Sequence, residues 1–454
     1  MRIHTLKQHT AEYRITPQVV LLGRYTEFTA RGLGIETRLQ PGAAYCIRII
    51  PQEEIGTART LKIGDTDCYE ELAAMTDEAG LLRFACTLPK EQVYTLRLLD
   101  GQGQRLTDFK VFAAAQDLWE RTPMRGNTHC HACHSVDGHE DPVVAASVYR
   151  KAGFDYLAIT DHHKIDGSLY AIAHTQDIPM ELALYPGEEV HVPNAYIHAV
   201  NVGAVLEGNV GLDKWYHDHE EEVNAQVDQI AAAAAGTLPE GIEPYDYAWR
   251  KWIADTIHEN GGVAIAAHPF WEYDANNTGN AMLRYLAESG LFDAVEVFHG
   301  QDDPDTLEAA RSLAFWQDLR AQGLYMTPVG CDDAHRRSQK WNYECCFNRV
   351  CTVIFAKDPS LAGFQEAIRS GFSVAVENYD DAPSHVAGTY RLTKYTLFLL
   401  EEFFPLHDEL CFEEGCRIKD AYLGDVESRA VLELIHGRVK RYCDRFFGRN
   451  GKEK

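Results

Sequence analysis

Histidines and carboxylates recur in short clusters between residues 129 and 335, each cluster standing just after an apolar run. His129 and His131 lie in GNTHCHACHSVDG, and Asp161 and His162 follow FDYLAIT (154–160). Glu188 and Glu189 follow ALYPG, His268 closes GGVAIAAHP (261–269), and Asp332, Asp333 and His335 follow LYMTPVG (324–330). In extended backbone, side chains two apart share a face, so His129 with His131, and Asp333 with His335, can each grip one ion. Imidazole and carboxylate sets suit zinc, manganese and iron, whereas thiolate-rich sets suit structural zinc. One histidine near a strand end is usually a structural residue, but five such groups at strand ends form a pattern. There are more donors than one ion can use, which implies two or three divalent ions with bridging carboxylates.

Other residues around these clusters could serve the same chemistry. His134, His163 and His299 are candidates for proton transfer or for orienting ligands, because an ordinary imidazole titrates near neutrality. His299 ends the strand-like run FDAVEVF and should face the same site. Arg336 and Arg337 follow Asp333 and His335, and Lys164 follows His163, offering cations for an anionic substrate. Each could equally be a salt-bridge partner on an acidic face. Cys130 and Cys133 form a C-x-x-C, a weaker alternative metal or redox pair, since Cys130 should point away from the His129/His131 face. His217 and His219 sit in the acidic segment WYHDHEEE, where solvent exposure is the plain reading and a lid the sharper one.

The elements that must position these groups are legible from apolar periodicity. Residues 1–120 read as a small β-sandwich-like domain of short strands separated by PGAA, DEAG and DGQG turns. From 121 to about 380, apolar strands alternate with helical patterns, which implies a parallel α/β sheet or barrel. In a barrel, residues just past the strand ends share one face, where active sites lie. The alanine-rich, acidic stretch from about 213 to 250 reads as a helical insertion, and 381–454 as a mostly helical extension.

Composition narrows the function. With 454 residues, 45% hydrophobic and 24% charged, the chain can bury a large core. A formal charge of −25 argues against binding long nucleic acid or anionic membrane, which require a basic footprint. The first fifteen residues lack the apolar core of a secretory signal, and no run is long enough for a membrane helix. With that, the twelve cysteines read as mostly reduced thiols of a cytoplasmic protein. Whether it is a homo-oligomer is open.

These motifs, in this order, resemble the PHP (polymerase and histidinol phosphatase) metallohydrolases over roughly residues 124–375. The family's H-x-H and Ser-Asp-Gly elements are similar to His129-Cys130-His131 and Ser135 with Asp137-Gly138, here interrupted by Val136. Its T-D-H resembles Thr160-Asp161-His162, its G-x-E resembles Gly187-Glu188-Glu189, its H-P resembles His268-Pro269, and its D-x-H resembles Asp333-Ala334-His335. The histidine of the strand after G-x-E corresponds to His198. GNTHCH and FQEAIRSG are most similar to stand-alone CehA/McbA-type members. The resemblance implies a distorted (βα)7 TIM-like barrel and a trinuclear manganese, zinc or iron centre. Its ligands would be His129, His131, Asp137, Asp161, His162, Glu189, His198, His268, Asp333 and His335.

The expected activity is hydrolysis of a small phosphate mono- or diester by a hydroxide shared between ions. His299, His134 and Arg336 would assist catalysis, and Arg336, Arg337, Lys164 and His163 would bind substrate. Three readings compete: a carboxylic or carbamate ester hydrolase, a nuclease on very short oligonucleotides, and a non-catalytic metal-containing binding module.

Overall fold

A computed structural model describes residues 12–53, 70–193, 198–271, 278–300, 308–335, 350–378 and 384–449. Two compact units partition the chain: Met1–Thr122 with Lys394–Glu409 and Gly437–Lys454, and Pro123–Thr393 with Leu410–His436.

The first unit contains β1 (Tyr13–Thr16), β2 (Val19–Leu21), β3 (Tyr25–Gly32), β4 (Ala44–Pro51), β5 (Glu70–Met75), β6 (Leu82–Thr87), β7 (Val93–Leu99) and β8 (Arg105–Ala114). They form a three-stranded sheet, β1-β3-β6, and a five-stranded sheet, β2-β8-β7-β4-β5. Strand β6 alternates buried and exposed residues, the pattern of a sheet with one face on a core. Phe28 and Phe84 from the smaller sheet pack in one cluster with Ile47, Leu96 and Val111 from the larger.

The second unit holds eleven described strands: β9 (Thr122–Asn127), β10 (Tyr156–Ala158), β11 (Ala183–Tyr185), β12 (Gly187–Val190), β13 (Ala199–Val202), β14 (Val263–Ala266), β15 (Ala294–His299), β16 (Thr327–Cys331), β17 (Val350–Ala356), β18 (Ser373–Glu377) and β19 (His385–Ala387). They form two sheets, ordered β11-β10-β9-β17-β18-β19 and β12-β13-β14-β15-β16. Strands β9, β10 and β11 run parallel, as do β14, β15 and β16. The expected strand–helix alternation is thus present, but β12–β13–β14 and β17–β18–β19 pair antiparallel. The short β12–β13 and β18–β19 connections leave no room for the crossover a parallel pair requires, whereas β14 and β18 return antiparallel after intervening helices. Strands β13, β14, β15, β16 and β17 are buried along their whole length, which accounts for their continuous apolar runs.

Helix boundaries follow local chemistry. The Pro142–Lys151 helix has Asp141 as its N-cap, accepting from the Val143 and Val144 N–H groups, with Pro142 in its first turn. Gly153, at φ 90°, lets the chain leave that helix in the left-handed region. Between β13 and β14 stand three helices, Leu212–Asp218, Glu220–Ala234 and Pro244–Glu259. No described helix is long and apolar enough to cross a membrane.

One buried ion network ties the Leu410–His436 segment to the rest of its unit. Arg150 is fully buried; its guanidinium donates to the Phe154 carbonyl at 2.9 Å, Asp155 at 3.1 Å and Glu414 at 2.9 Å. The other oxygen of Glu414 accepts from the Glu181 N–H. Removing one partner of a buried pair strands the other charge at a cost of roughly 3–5 kcal/mol, whereas replacing both by apolar groups is often tolerated. Glu414→Ala is expected to lower the urea midpoint by that order, with Arg150→Met/Glu414→Leu recovering much of the loss. An alanine variant as stable as the wild type would show that the network contributes nothing.

Candidate metal centre

Two short backbone bridges assemble the site. The Asp333 N–H donates to the His129 carbonyl at 2.8 Å, and the His131 N–H donates to the Ala334 carbonyl at 2.8 Å. These bonds lay the H-x-H and D-x-H segments side by side, so the alternate side chains of both face inward. On the opposite flank, the Glu189 N–H donates to the Asp161 carbonyl at 3.3 Å and the His163 N–H donates to the Glu189 carbonyl at 3.1 Å. Asp333 adopts φ 46°, an unusual backbone for a non-glycine residue, at the point where its carboxylate meets three imidazoles.

Glu189 lies at the middle, fully buried. Its Oε1 is 2.7 Å from His198 Nδ1 and 3.2 Å from His268 Nε2. Its Oε2 is 2.7 Å from His162 Nδ1, 3.3 Å from His129 Nε2, 3.3 Å from His191 Nε2 and 3.5 Å from His131 Nε2. Asp333 Oδ1 is 2.7 Å from His131 Nε2 and 3.3 Å from His129 Nε2, and Asp333 Oδ2 is 3.1 Å from His299 Nε2. Asp137 Oδ2 stands 3.3 Å from His162 Nε2 and 3.4 Å from His335 Nε2 at the more exposed edge.

Adjoining donor groups result, among them His129, His131, Glu189 and Asp333; Glu189, His198 and His268; His131, His162 and His335; and His162, Glu189 and His191. Donors bound at about 2.1 Å to one ion lie roughly 3.0–3.4 Å apart for octahedral or tetrahedral angles, which His129, His191 and His268 match against Glu189 at 3.2–3.3 Å, while the 2.7 Å pairs are at hydrogen-bond distance. His129 Nε2 and Glu189 Oε2 are both buried without a hydrogen-bond partner although only 3.3 Å separates them. Two lone pairs aimed at a common point explain such orphans, which are otherwise costly. The donor set fits two or three divalent ions of the zinc, manganese or iron class.

Electrostatics agree. Burial would push Glu189 up, but His129, His162, His198 and His191 hold its carboxyl well below the usual range. Asp333 behaves alike, burial being outweighed by His129, His131 and His299. Burial, helped by His335 and His162, drives His131 down to about 3, and burial takes His268 down to about 4. Burial opposes the charged forms of His129 and His162 as well, yet Asp333, Glu296 and Glu189 raise His129 well above its ordinary value. Glu189 and Asp137 raise His162 to about 10. In the absence of ions, protons on these imidazoles neutralise the buried carboxylates.

Of the ligands expected from sequence, His129, His131, Asp137, His162, Glu189, His198, His268, Asp333 and His335 come together, and His299 faces Asp333. Asp161 Oδ1 accepts the Ala132 N–H at 2.6 Å and the Ser135 N–H at 3.1 Å, shaping the loop after His131, while its Oδ2 is buried without a hydrogen-bond partner. Gly138 closes that loop against the Ala132 carbonyl, leaving no space for a Cβ. Glu188 points away from Glu189, as alternation requires, and accepts the Leu212 and Asp213 N–H groups. Lys164 is exposed and donates to the His134 carbonyl at 3.0 Å, and the His134 ring lies 5.9 Å from Tyr170. His163 is half-exposed, bonded through Nδ1 to Asp213 at 2.5 Å. Arg336 and Arg337 lie outside the described residues. Cys130 is buried, Cys133 is exposed, and both are free thiols. His219 bonds to the Trp215 carbonyl within its own helix.

Two members of the centre escape the motif pattern. Glu296 bonds to His129 Nδ1 at 2.7 Å and accepts the His268 N–H at 2.8 Å. A carboxylate inside the apolar strand AVEVFH was its signal, because a buried charge needs a partner. His191 lies two residues after Glu189, a spacing that places both on one face of an extended chain.

No family model matches the chain, and no curated protein does. Solved structures give distant matches. A two-domain protein from Bacteroides vulgatus containing a predicted PHP-like metal-dependent phosphoesterase is 17% identical, with TM-score 0.38. The match covers 56% of this chain and 65% of that one, just under two thirds of its length. A protein from Bifidobacterium adolescentis described as a metal-dependent phosphoesterase is 16% identical over 47% of this chain and 89% of that one, with TM-score 0.34. An amidohydrolase from Chromobacterium violaceum, solved with sulfate and no metal, is 18% identical over 46% and 87%, with TM-score 0.29. At this level the activity must be argued from the side chains themselves.

Because His129 and His162 carry raised pKa values, ions must displace their protons. Zinc binding near neutral pH is therefore expected to release protons and to weaken as pH falls. Calorimetry in buffers of different ionisation enthalpy checks this, and a buffer-independent heat would contradict it. Glu189→Gln should cost more than about 100-fold in zinc affinity, since it removes a charge shared between donor groups.

Proposed function

We propose that this protein is a metal-dependent hydrolase of small phosphate esters. The observation that carries the reading is the sharing of Glu189 among several contiguous donor groups, with His131 and His162 linking them to His335. A row of adjoining cation sites matches a substrate whose negative charge is spread over several oxygens of one centre, as in a phosphoryl group. The resemblance of the motif order to PHP metallohydrolases supports the same reading.

His129, His131, Glu189 and Asp333 would hold one ion, Glu189, His198 and His268 a second, and His131 or Asp137 with His162 and His335 a third. Bound there, such ions supply Lewis acidity and charge neutralisation at the reacting oxygens. The chain's own groups do the positioning. Glu296, bonded to His129 Nδ1, leaves Nε2 facing inward, and Ser135 Oγ, 3.1 Å from His131 Nδ1, does the same there. His299, buried against Asp333, orients that carboxylate. His163, with Nδ1 held by Asp213 and its ring centroid 4.5 Å from His191, stands where Nε2 can pass a proton to a leaving oxygen. An overall charge of −25 keeps the substrate small, because long polyanions are repelled.

The decisive assay compares chromogenic phosphate monoester, phosphate diester and carboxyl ester substrates with manganese-loaded and chelated protein. Metal-dependent turnover of either phosphate is expected. Turnover confined to the carboxyl ester would sink the phosphoesterase reading and keep a hydrolase. His268→Ala is expected to lower both bound metal and turnover, the latter about 100-fold or more. Full occupancy at full rate in that variant would show that the site lies elsewhere.

A further inference from the structure

In a chain of net charge −25, the Arg438–Phe446 helix is basic. It carries Arg438, Lys440, Arg441 and Arg445 against a single acid, Asp444, and Lys440 already pairs with that acid at 2.8 Å. The first unit also sets Arg14 on β1 directly opposite Arg31 on β3. Opposed residues of an antiparallel pair share a face, and like charges placed so are destabilising. The next pair along, Ile15 and Ala30, turns the other way into the core of the unit. Arg14 and Arg445 meet at a cavity of about 350 Å³, which Gln18, Phe109 and Tyr442 also line.

Three acids stand at this cavity, Glu12, Asp108 and Glu402, and among the described residues none of them pairs with Arg14 or Arg445. Asp108 accepts from Arg97 at 2.8 and 3.0 Å and pairs with Arg105 at 2.9 Å. Glu402 accepts from Gln18 Nε2 at 3.1 Å, and burial pushes its carboxyl up. Glu12 is exposed and acts on Tyr13. Burial first, then Arg31 and Arg445, hold Arg14 below the ordinary arginine value, with Tyr442 acting the other way. The Tyr442 hydroxyl is itself taken, donating to the Phe403 carbonyl at 3.0 Å. Arg14 is thus a half-buried guanidinium with cations for neighbours, and its donors lack an acceptor of opposite charge.

We propose that this cavity binds the phosphoryl group of a small molecule, held by Arg14 and Arg445, with Arg31 adding its charge. A guanidinium fork matches two oxygens of a phosphoryl group. Near neutral pH that group carries roughly 1.5–2 negative charges, which offsets the mutual repulsion of the arginines better than one carboxylate would. A volume of about 350 Å³ leaves room for a small group attached to phosphorus. The residues involved belong to the first unit alone and include no imidazole of the metal centre, so the site stands whether or not the hydrolase reading does.

The test is titration calorimetry of the full-length protein with inorganic phosphate and with methylphosphonate at constant ionic strength, for the wild type, Arg14→Met and Arg445→Met. Methionine keeps an apolar stem and removes the charge. The wild type is expected to bind at least one of the two anions, and each variant to bind it at least about tenfold more weakly. Tighter binding of methylphosphonate would name a phosphate-bearing organic molecule as the ligand, and tighter binding of phosphate the free ion; both sustain the site. Phosphate held at the metal centre would be insensitive to these substitutions, so unchanged affinity in both variants would overturn the proposal. Acetate binding as tightly as phosphate would overturn the phosphoryl assignment. Thermal melting supplies a reading that needs no ligand. In phosphate-free buffer Arg14→Met is expected to melt at or above the wild-type temperature, because the opposed charges are relieved. A lower melting temperature would mean that the Arg14 charge already has a partner in the chain, and the proposal would fall.

Discussion

A single buried carboxylate organises the centre. Glu189 has no exposed surface, yet five imidazoles approach its two oxygens within 3.3 Å. An isolated carboxylate at that depth would be protonated or expelled. Here it stays ionised because positive charge surrounds it, supplied by protons on His129 and His162 when ions are absent. Everything else in the second unit serves that balance: strands deliver imidazoles from several directions, and bridges between strand ends set their spacing.

The arrangement works from the outside as much as from the centre. Asp161 and Glu188, the carboxylates nearest in sequence to His162 and Glu189, turn to backbone N–H groups and fasten a loop and a helix. Asp332 likewise accepts from Asn127 at 2.6 Å and Tyr149 at 2.7 Å. Each of these acids sits beside a residue of the centre in the chain, His162, Glu189 or Asp333, and alternation sends it to the other side. Half of the carboxylates in the clusters are thus structural, and they make the inner half precise.

Much of the centre was legible before the fold was known. H-x-H, Glu189, H-P and D-x-H could be read because strand geometry is local: every second side chain shares a face, and strand ends of an α/β sheet share an edge. Glu188 and Glu189 could be told apart only by resemblance, since either register of an isolated strand is allowed. The parallel alternation was visible in the apolar runs, but the antiparallel pairs β12–β13–β14 and β17–β18–β19 were not. Pairing direction depends on how the intervening chain returns, which periodicity does not encode.

By itself, then, the amino-acid sequence determined the ligand chemistry, the strand faces that carry it and the acidity of the chain, because each follows from residue type and a two-residue repeat. Tertiary structure decided which donors adjoin, that Asp161 Oδ1 shapes a loop, and that Glu296 and His191 meet His129 and His162. Those contacts include pairs such as His131 and Asp333, 202 positions apart in the chain. No local rule reaches that far: distant side chains meet only when burial of the strands brings their ends to one edge, and hydrogen-bond satisfaction in that dry space then assigns each donor its partner.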